Sequence, residues 1–287
     1  MNTADSNKVL NVEAALQLDA NGNLRHLLTL KGLDKSLLTE ILDDAQQYLT
    51  EPGELPARGQ SLAGRSVANL FFEASTRTRA SFDLAGKRLG ADVLNLDVNT
   101  SSRKKGESIL DTIYTLEAMH VDIMVVRDAS AGVPAFIARH VLPHVSILNA
   151  GESDVSHPTQ GLLDVLTMRQ HKGSFEDLTV AIVGDIRHSR VAMSASHALS
   201  TLGVGELRLI SPPVLAPEPD SVPGARIFDN LKAGLADADD VMALRIQRER
   251  IGNHDGIPGI DEYFANYRNS HESMKFAKPD AIVMHPG

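Results

Sequence analysis

Short apolar runs alternate along the chain with longer stretches in which apolar residues recur every three or four positions. The short runs predict buried β-strands, and the periodic stretches predict helices. The predicted strands cover residues 67–72, 93–96, 123–126, 145–148, 179–183, 207–210, 241–244 and 281–284. Helices are predicted over 37–49 and after Pro158, a residue suited to a first helical turn. This alternation predicts an α/β fold with two doubly wound domains, each with a central mostly parallel sheet flanked by helices.

The length of 287 residues also favours two domains. Residues 1–24 are polar and acidic and predict a loosely structured N-terminal leader. The first domain is predicted over 25–156 and the second over 157–287, with the helix after Pro158 bridging the two.

Composition narrows the class of protein. The net charge of −9 argues against generic nucleic-acid binding, which requires a basic surface. No apolar run approaches the roughly 20 residues of a membrane span, and the polar N-terminus does not resemble a signal peptide. The chain has no Cys, which excludes a disulfide framework and thiolate chemistry. We therefore expect a cytoplasmic protein with no nucleic-acid or membrane partner.

The segment Ser75-Thr76-Arg77-Thr78 lies between the first predicted strand and a helical pattern. Ser75 is a good helix N-cap, and the N–H groups of a first helical turn favour an anion. Arg77 adds a guanidinium suited to phosphate oxygens, and the hydroxyls add donors. The segment is thus a candidate phosphate site, although an ordinary capped helix with a solvated basic first turn has the same pattern.

Four later strands also end in polar residues. In open parallel sheets, ligands bind beyond the carboxyl ends of the strands, so we expect these residues to gather at one edge of the sheet. Each residue alone could be a solvated side chain or a helix cap. Together they suit a substrate with several carboxylates or phosphates. The candidates at these strand ends are Arg127, His157, Gln160, Arg190, Arg245 and Gln247.

A basic loop over 99–107 stands apart from the strand ends. It contains Ser101 and Lys105 and precedes a predicted helix with a Ser108–Asp111 cap. The alternative to a functional loop is a mobile surface loop.

Four of these segments resemble motifs of the aspartate and ornithine carbamoyltransferases. Residues 75–79 resemble the carbamoyl phosphate motif, and residues 157–164 resemble the second family motif. Residues 100–107 and 245–250 are similar to the mobile loop and the aspartate-specifying segment of the aspartate branch, and the ornithine branch has a Cys-containing motif that this chain lacks. The resemblance implies transfer of the carbamoyl group from carbamoyl phosphate to L-aspartate, which gives N-carbamoyl-L-aspartate and phosphate in de novo pyrimidine biosynthesis. It makes 25–156 a carbamoyl phosphate-binding domain and 157–287 an aspartate-binding domain.

The resemblance also implies a role for each candidate residue, without a metal or organic cofactor. Catalytic roles fall to Arg77, Thr78, Lys105, Arg127, His157 and Gln160. Carbamoyl phosphate would be bound by Ser75, Thr76, Arg77, Thr78, Ser101, Arg127, His157, Gln160 and Pro286. The aspartate carboxylates would be bound by Lys105, Arg190, Arg245 and Gln247.

Assembly is a further implication of the resemblance. Ser101 and Lys105 would come from a neighbouring subunit, so that a homotrimer shares its active sites. A larger assembly with dihydroorotase-like or regulatory chains would fit the leader. Two alternatives stay open. One is a carbamoyltransferase for another, ornithine-like amine; the other is a truncated, inactive assembly subunit, because family members continue with further helices beyond the position of Gly287.

Overall fold

The computed structural model describes residues 3–56, 58–96, 108–218, 220–247 and 257–286. The chain divides into two compact units. The N-terminal unit comprises Ala4–Gly32 and Asp43–Thr159, and the C-terminal unit comprises Met1–Thr3, Leu33–Leu42 and Gln160–Gly287. Within the described ranges, no helix combines the length and the hydropathy needed to cross a membrane.

The N-terminal unit is built on a four-stranded parallel sheet with the order β2-β1-β3-β4. Its core joins the inner strands to the flanking helices through residues such as Leu70, Ile113 and Val126. The elements in chain order are α1 (Thr3–Leu16), α2 (Lys35–Gln46, shared between the units), β1 (Ser66–Phe71), α3 (Thr76–Arg88), β2 (Asp92–Leu96), α4 (Ile109–Ala118), β3 (Ile123–Asp128), α5 (Val133–Ala138) and β4 (Ser146–Glu152).

Helix α6 (Pro158–Lys172) carries the chain into the C-terminal unit, with the division between Thr159 and Gln160. This unit contains a five-stranded parallel sheet with the order β7-β6-β5-β8-β9. Its elements are β5 (Thr179–Val183), α7 (Arg190–Leu202), β6 (Glu206–Ile210), β7 (Arg226–Phe228), α8 (Leu231–Leu235), β8 (Asp240–Ala243), α9 (Ile260–Tyr267) and β9 (Ile282–Met284), with short 3-10 turns at Pro213–Leu215 and Ser273–Phe276. The predicted fold class of two doubly wound, parallel α/β domains is confirmed.

Three details differ from the sequence predictions. The five polar strand ends belong to two sheets rather than to one edge, because β1, β3 and β4 lie in one sheet and β5 and β8 in the other. Strand β4 continues to Glu152, beyond the predicted end at 148, since the side chain of Asn149 is satisfied inside the unit by the Leu28 carbonyl at 2.9 Å. Strand β7 was missed because it is a three-residue edge strand.

The prediction of a loosely structured leader over 1–24 was wrong. Helix α1 occupies Thr3–Leu16, and from Ala4 onward it belongs to the N-terminal unit. It packs through Leu10, Val12 and Leu16, and the side chain of Glu13 is fully buried beside them. The side-chain oxygen Oε1 of Gln17, just after the helix, accepts the N–H groups of Leu28 and Thr29 at 2.8 and 2.9 Å. Because a charged residue, Glu13, is buried on the packing side of this helix, the apolar stripe is interrupted and the sequence pattern is weak.

The carboxyl group of Glu13 on α1 docks against Glu152 on β4. Burial raises the pKa of Glu13 well above its usual value, and the hydrogen bond and negative charge of Glu152 raise it further. The Glu152 oxygens accept hydrogen bonds from Asn149 Nδ2 at 2.8 Å and the Gly132 N–H at 2.7 Å, which keeps Glu152 an acceptor. Glu13 therefore keeps its proton in the folded protein to a higher pH than a solvated carboxyl does.

This acid pair predicts that the stability of the N-terminal unit falls as pH rises. A carboxyl whose folded-state pKa is raised holds its proton in the native state while the unfolded chain releases it above about pH 4.5. Each pH unit from there up to the folded-state pKa removes up to ~1.4 kcal/mol of unfolding free energy. Glu13→Gln donates the same hydrogen bond without titrating, so its urea-unfolding midpoint should depend less on pH between 5 and 9. Identical pH dependence in both proteins would contradict the raised pKa of Glu13.

Candidate active site

The turn from β1 into α3 contains the segment in which the sequence predicts a phosphate site. Ser75 takes extended backbone angles (φ −157°, ψ 98°) as the N-cap of α3, as predicted. Its hydroxyl forms no capping hydrogen bond within the described chain. The first-turn N–H groups of α3, beginning at Thr76, therefore remain for an outside acceptor, and the positive end of the helix favours an anion.

Arg77 is the most available cation at this turn. Its side chain is exposed, and it forms no ion pair with any acidic residue that the structure describes. Arg79, two positions later, is engaged elsewhere, with its guanidinium 5.3 Å from the ring centre of Phe71. The Arg77 guanidinium and the N–H groups of the helix N-terminus are thus both suited to bind a phosphate group.

Arg127 joins the same site from the neighbouring strand. Register pairs Phe71 of β1 with Arg127 of β3, so the two strand ends lie side by side. Nη1 of Arg127 donates to the Thr78 hydroxyl at 3.3 Å and to the Ala150 carbonyl at 3.0 Å. Its Nε lies 2.6 Å from the Glu73 carboxylate. Because three acceptors hold it and its side chain is only 11% exposed, the guanidinium is fixed in place.

Glu73 is the member of this cluster that the sequence analysis left without a role. It belongs to the same strand-to-helix segment as Ser75, but its partner Arg127 lies 54 residues further along the chain, on β3. An acidic residue beside a basic anion-binding motif is a signal for such a partner, since it orients one cation while leaving another, Arg77, uncommitted.

His157 and Gln160 lie at the start of α6, as the sequence predicted. His157 is 7% exposed, and its Nδ1 lies 3.4 Å from the Thr159 hydroxyl. The Gln160 amide donates through Nε2 to Oδ1 of Asp164 at 2.9 Å, one turn further along the helix. Burial raises the pKa of Asp164 to about 7, against the opposing effect of the Gln160 hydrogen bond.

Strands β5 and β8 place a second set of polar residues in the C-terminal unit. These strands are parallel neighbours in register at Val183 and Ala243, so the segments that follow them lie at one sheet edge. Oδ2 of Asp185 accepts the Gln247 N–H at 3.0 Å, and Oδ1 lies 2.8 Å from Nδ1 of His188. Asp185 therefore ties the segment after β8 to the segment after β5.

The two arginines predicted to bind carboxylates flank this connection. Arg190 is the first residue of α7 and is buried, and that helix is capped by the Ser189 hydroxyl, which accepts the Ala192 N–H at 3.1 Å. Arg245 follows β8 and is exposed. Arg190, Arg245 and Gln247 thus all follow the carboxyl ends of two adjacent strands, an arrangement suited to an anionic ligand.

Not every predicted residue can be placed in this way. Ser101 and Lys105 lie outside the described residues. The predicted cap of the following helix is confirmed: the Ser108 hydroxyl accepts the Asp111 N–H at 3.2 Å, and the Asp111 carboxylate accepts the Ser108 N–H at 3.0 Å. Pro286 follows β9, which is the parallel neighbour of β8.

Two family models match the chain in succession. The carbamoyl-P binding domain of the aspartate/ornithine carbamoyltransferases matches residues 25–170, and the Asp/Orn binding domain of the same family matches residues 176–287. Together they extend over nearly all of the sequence.

Solved structures agree with these matches. Aspartate transcarbamoylase from Trypanosoma cruzi in complex with carbamoyl phosphate is similar with a TM-score of 0.77 and 29% identity, over 96% of this chain and 86% of that one. The same enzyme with N-(phosphonacetyl)-L-aspartic acid gives 0.75 and 29%, over 94% and 87%. Ornithine carbamoyltransferase from Thermus thermophilus gives 0.77 and 25%, over 92% and 85%. The polar strand ends of two parallel sheets, the matched domain pair and these similarities show that the chain is a carbamoyltransferase and belongs to the aspartate/ornithine carbamoyltransferase family.

Proposed function

We propose that this carbamoyltransferase uses L-aspartate as its acceptor and makes N-carbamoyl-L-aspartate and phosphate for de novo pyrimidine biosynthesis. The observation that carries the carbamoyl phosphate half is the meeting of Thr78 and Arg127 beside the open N-terminus of α3. An anion at the helix N-terminus would keep its phosphate there, with Arg77 as its counter-charge. Hydrogen-bond donors for the adjoining carbonyl oxygen would then come from Thr78, Arg127 and His157.

The chemistry requires little more than these donors. The aspartate amine attacks the carbamoyl carbon, negative charge builds on the carbonyl oxygen, and the bond from carbon to the phosphate oxygen then breaks. Donors fixed in advance stabilise that charge better than mobile water does. The leaving phosphate can take the proton that the amine loses, which requires no side-chain base. Gln160 would orient the carbamoyl amine.

The proposal of aspartate rather than ornithine as the acceptor depends on the charges of the two amino acids and of the residues expected to bind them. Aspartate presents two carboxylates around the attacking amine, whereas ornithine presents one carboxylate and a second ammonium group. Two guanidinium groups and an amide, from Arg190, Arg245 and Gln247, favour the dicarboxylate and repel a second cation. Similarity to an ornithine carbamoyltransferase keeps ornithine as the second candidate acceptor.

The shared-site homotrimer belongs to the same proposal. Ser101 and Lys105 would reach carbamoyl phosphate and aspartate from a neighbouring subunit, and the Pro286 segment would contact the carbamoyl group through backbone carbonyls. A larger assembly with dihydroorotase-like or regulatory chains would be built from such trimers.

Acceptor competition tests the proposed substrate. With carbamoyl phosphate supplied, a colorimetric assay for ureido products should give a kcat/KM for aspartate that exceeds that for ornithine by on the order of a hundredfold or more. Preference for ornithine would overturn the acceptor assignment. A phosphonate–dicarboxylate bisubstrate analogue should also release heat on binding in calorimetry. A folded chain that binds no analogue and forms no product would instead be an assembly subunit.

A further inference from the structure

Helix α6 pairs a proposed ligand-binding amide with a buried acid that the mechanism does not use. Asp164 is 3% exposed, and its Oδ1 accepts the Gln160 amide at 2.9 Å. Its other oxygen, Oδ2, is buried and has no hydrogen-bond partner among the described residues. Gln160 is therefore the one described group that the Asp164 carboxyl holds by a hydrogen bond.

A second buried carboxyl lies near Asp164. Asp240 on β8 is fully buried, and its pKa rises to about 7 through burial first and through the negative charge of Asp164 next. Lys172 on α6 lowers the pKa of Asp240, while Asp239 raises it. The charges of these two neighbours are largely compensated, because Lys172 pairs with Asp280 at 2.8 Å and Asp239 accepts Lys278 at 2.7 Å.

The carbamoyl group requires a particular orientation of the Gln160 amide. A carbamoyl nitrogen carries only N–H donors, so it needs the acceptor oxygen Oε1 of Gln160 and is repelled by the Nε2 donors. A carboxylate at Asp164 has no proton to give and can only accept from Nε2. We propose that Asp164 is a positioning residue, which turns the Gln160 amide so that its Oε1 faces the carbamoyl amine. This inference rests on the proposed role of Gln160 in binding carbamoyl phosphate.

Protonation of Asp164 allows the opposite orientation of the Gln160 amide. A neutral carboxyl can donate its O–H to Oε1 of Gln160, and the flipped amide then presents two N–H groups to the ligand. Since the pKa of Asp164 is raised to about 7, the carboxylate form predominates above that pH and is lost below it. Because Asp240 lies close by, the two carboxyls titrate as a pair with shared apparent pKa values.

Two stable probes isolate this effect from phosphate binding. Phosphonoacetamide carries both a carbamoyl amide and a phosphonate, whereas methylphosphonate carries the phosphonate alone. For the wild-type chain at pH 8, calorimetry should show tighter binding of phosphonoacetamide, and Asp164→Asn should reduce that advantage about tenfold while it leaves methylphosphonate unchanged. The wild-type advantage should also fall between pH 8 and 6, and by more than in Asp164→Asn, because the ionisation of the two phosphonates contributes equally in both proteins. An unchanged advantage in Asp164→Asn would overturn the inference.

Asp240→Asn provides a second, independent measurement, which also decides the case if Asp164→Asn does not fold. It removes a carboxyl whose pKa the charge of Asp164 raises. Because the interaction between two charges is reciprocal, the midpoint of the pH profile in Asp240→Asn should lie at lower pH than in the wild type. A midpoint that does not move would count against Asp164 as the titrating group. Failure of the proposed function is separable: a chain that binds phosphonoacetamide with the amide advantage but forms no ureido product refutes transfer to aspartate while leaving the role of Asp164 intact.

Discussion

Arg77→Ala should weaken the binding of inorganic phosphate and of carbamoyl phosphate by about a hundredfold, which corresponds to ~2.7 kcal/mol. The guanidinium stands exposed beside the open N-terminus of α3 and forms no ion pair with the described residues, so its loss removes a charge-assisted contact without breaking an internal one. Calorimetric titration with phosphate and the KM for carbamoyl phosphate measure the effect. The unfolding free energy should stay within about 0.5 kcal/mol of wild type.

Arg88→Ala is the matched control for this substitution. Arg88 lies on the same helix but in its last turn, at the opposite end from the phosphate site. It removes the same charge from the chain, so any general loss of positive potential is reproduced. Phosphate affinity close to wild type in Arg88→Ala, together with a large loss in Arg77→Ala, assigns the effect to position. Equal affinities in Arg77→Ala and wild type would refute the phosphate site at α3.

Gly184→Ala should destabilise the C-terminal unit by about 4 kcal/mol, through combined backbone strain and overpacking. Gly184 follows β5 with φ of +135°, a region that residues with a side chain rarely adopt. An added Cβ would lie 2.9 Å from the Cβ of Leu244 and would collide with the Leu244 carbonyl oxygen. Urea unfolding should report the loss as a lower midpoint with an unchanged slope.

The same substitution should also weaken acceptor binding, because Asp185 comes next in the chain and its carboxylate accepts the backbone N–H of Gln247.

Gly173→Ala separates steric collision from backbone strain. Gly173 also has positive φ, at +82°, but no atom lies within 4 Å of an added Cβ, so its cost should be only about 1 kcal/mol. Similar losses in the two variants would show that backbone angle, and not the approach of Leu244, accounts for the effect.

Local chemistry explains why much of the architecture was predictable. Buried parallel strands produce continuous apolar runs, so β5 was predicted with its exact bounds and the neighbouring strands to within a few residues. The starts of three helices were also predicted from the sequence: Ser75 and Ser108 both occupy N-cap positions, and Pro158 begins α6. These features depend on a few adjacent residues, which a sequence displays directly.

The features that could not be predicted from the sequence depend on contacts between segments that are distant along the chain. The ion pair between Glu73 and Arg127 connects two strand ends, and the interaction between the carboxyl groups of Glu13 and Glu152 connects α1 to β4. Nothing in the local sequence distinguishes Glu13 from a solvated carboxylate, and the position of Glu73 beside a basic motif does not indicate which cation it pairs with. The distribution of the strand ends between two sheets likewise could not be predicted, because no single segment determines which strands are neighbours. The observed orders are β2-β1-β3-β4 and β7-β6-β5-β8-β9.

The membership of Leu33–Leu42 in the C-terminal unit has a consequence for biosynthesis. This segment leaves the ribosome long before Gln160 and the strands of the unit that it completes. Parallel pairing already demands closure of long loops, which slows folding. Leu38 and Leu42, both buried in the finished protein, are therefore synthesised well before the strands of the unit to which they belong. The C-terminal unit can complete its core only after those strands have been made, so its folding depends on a segment from the beginning of the chain.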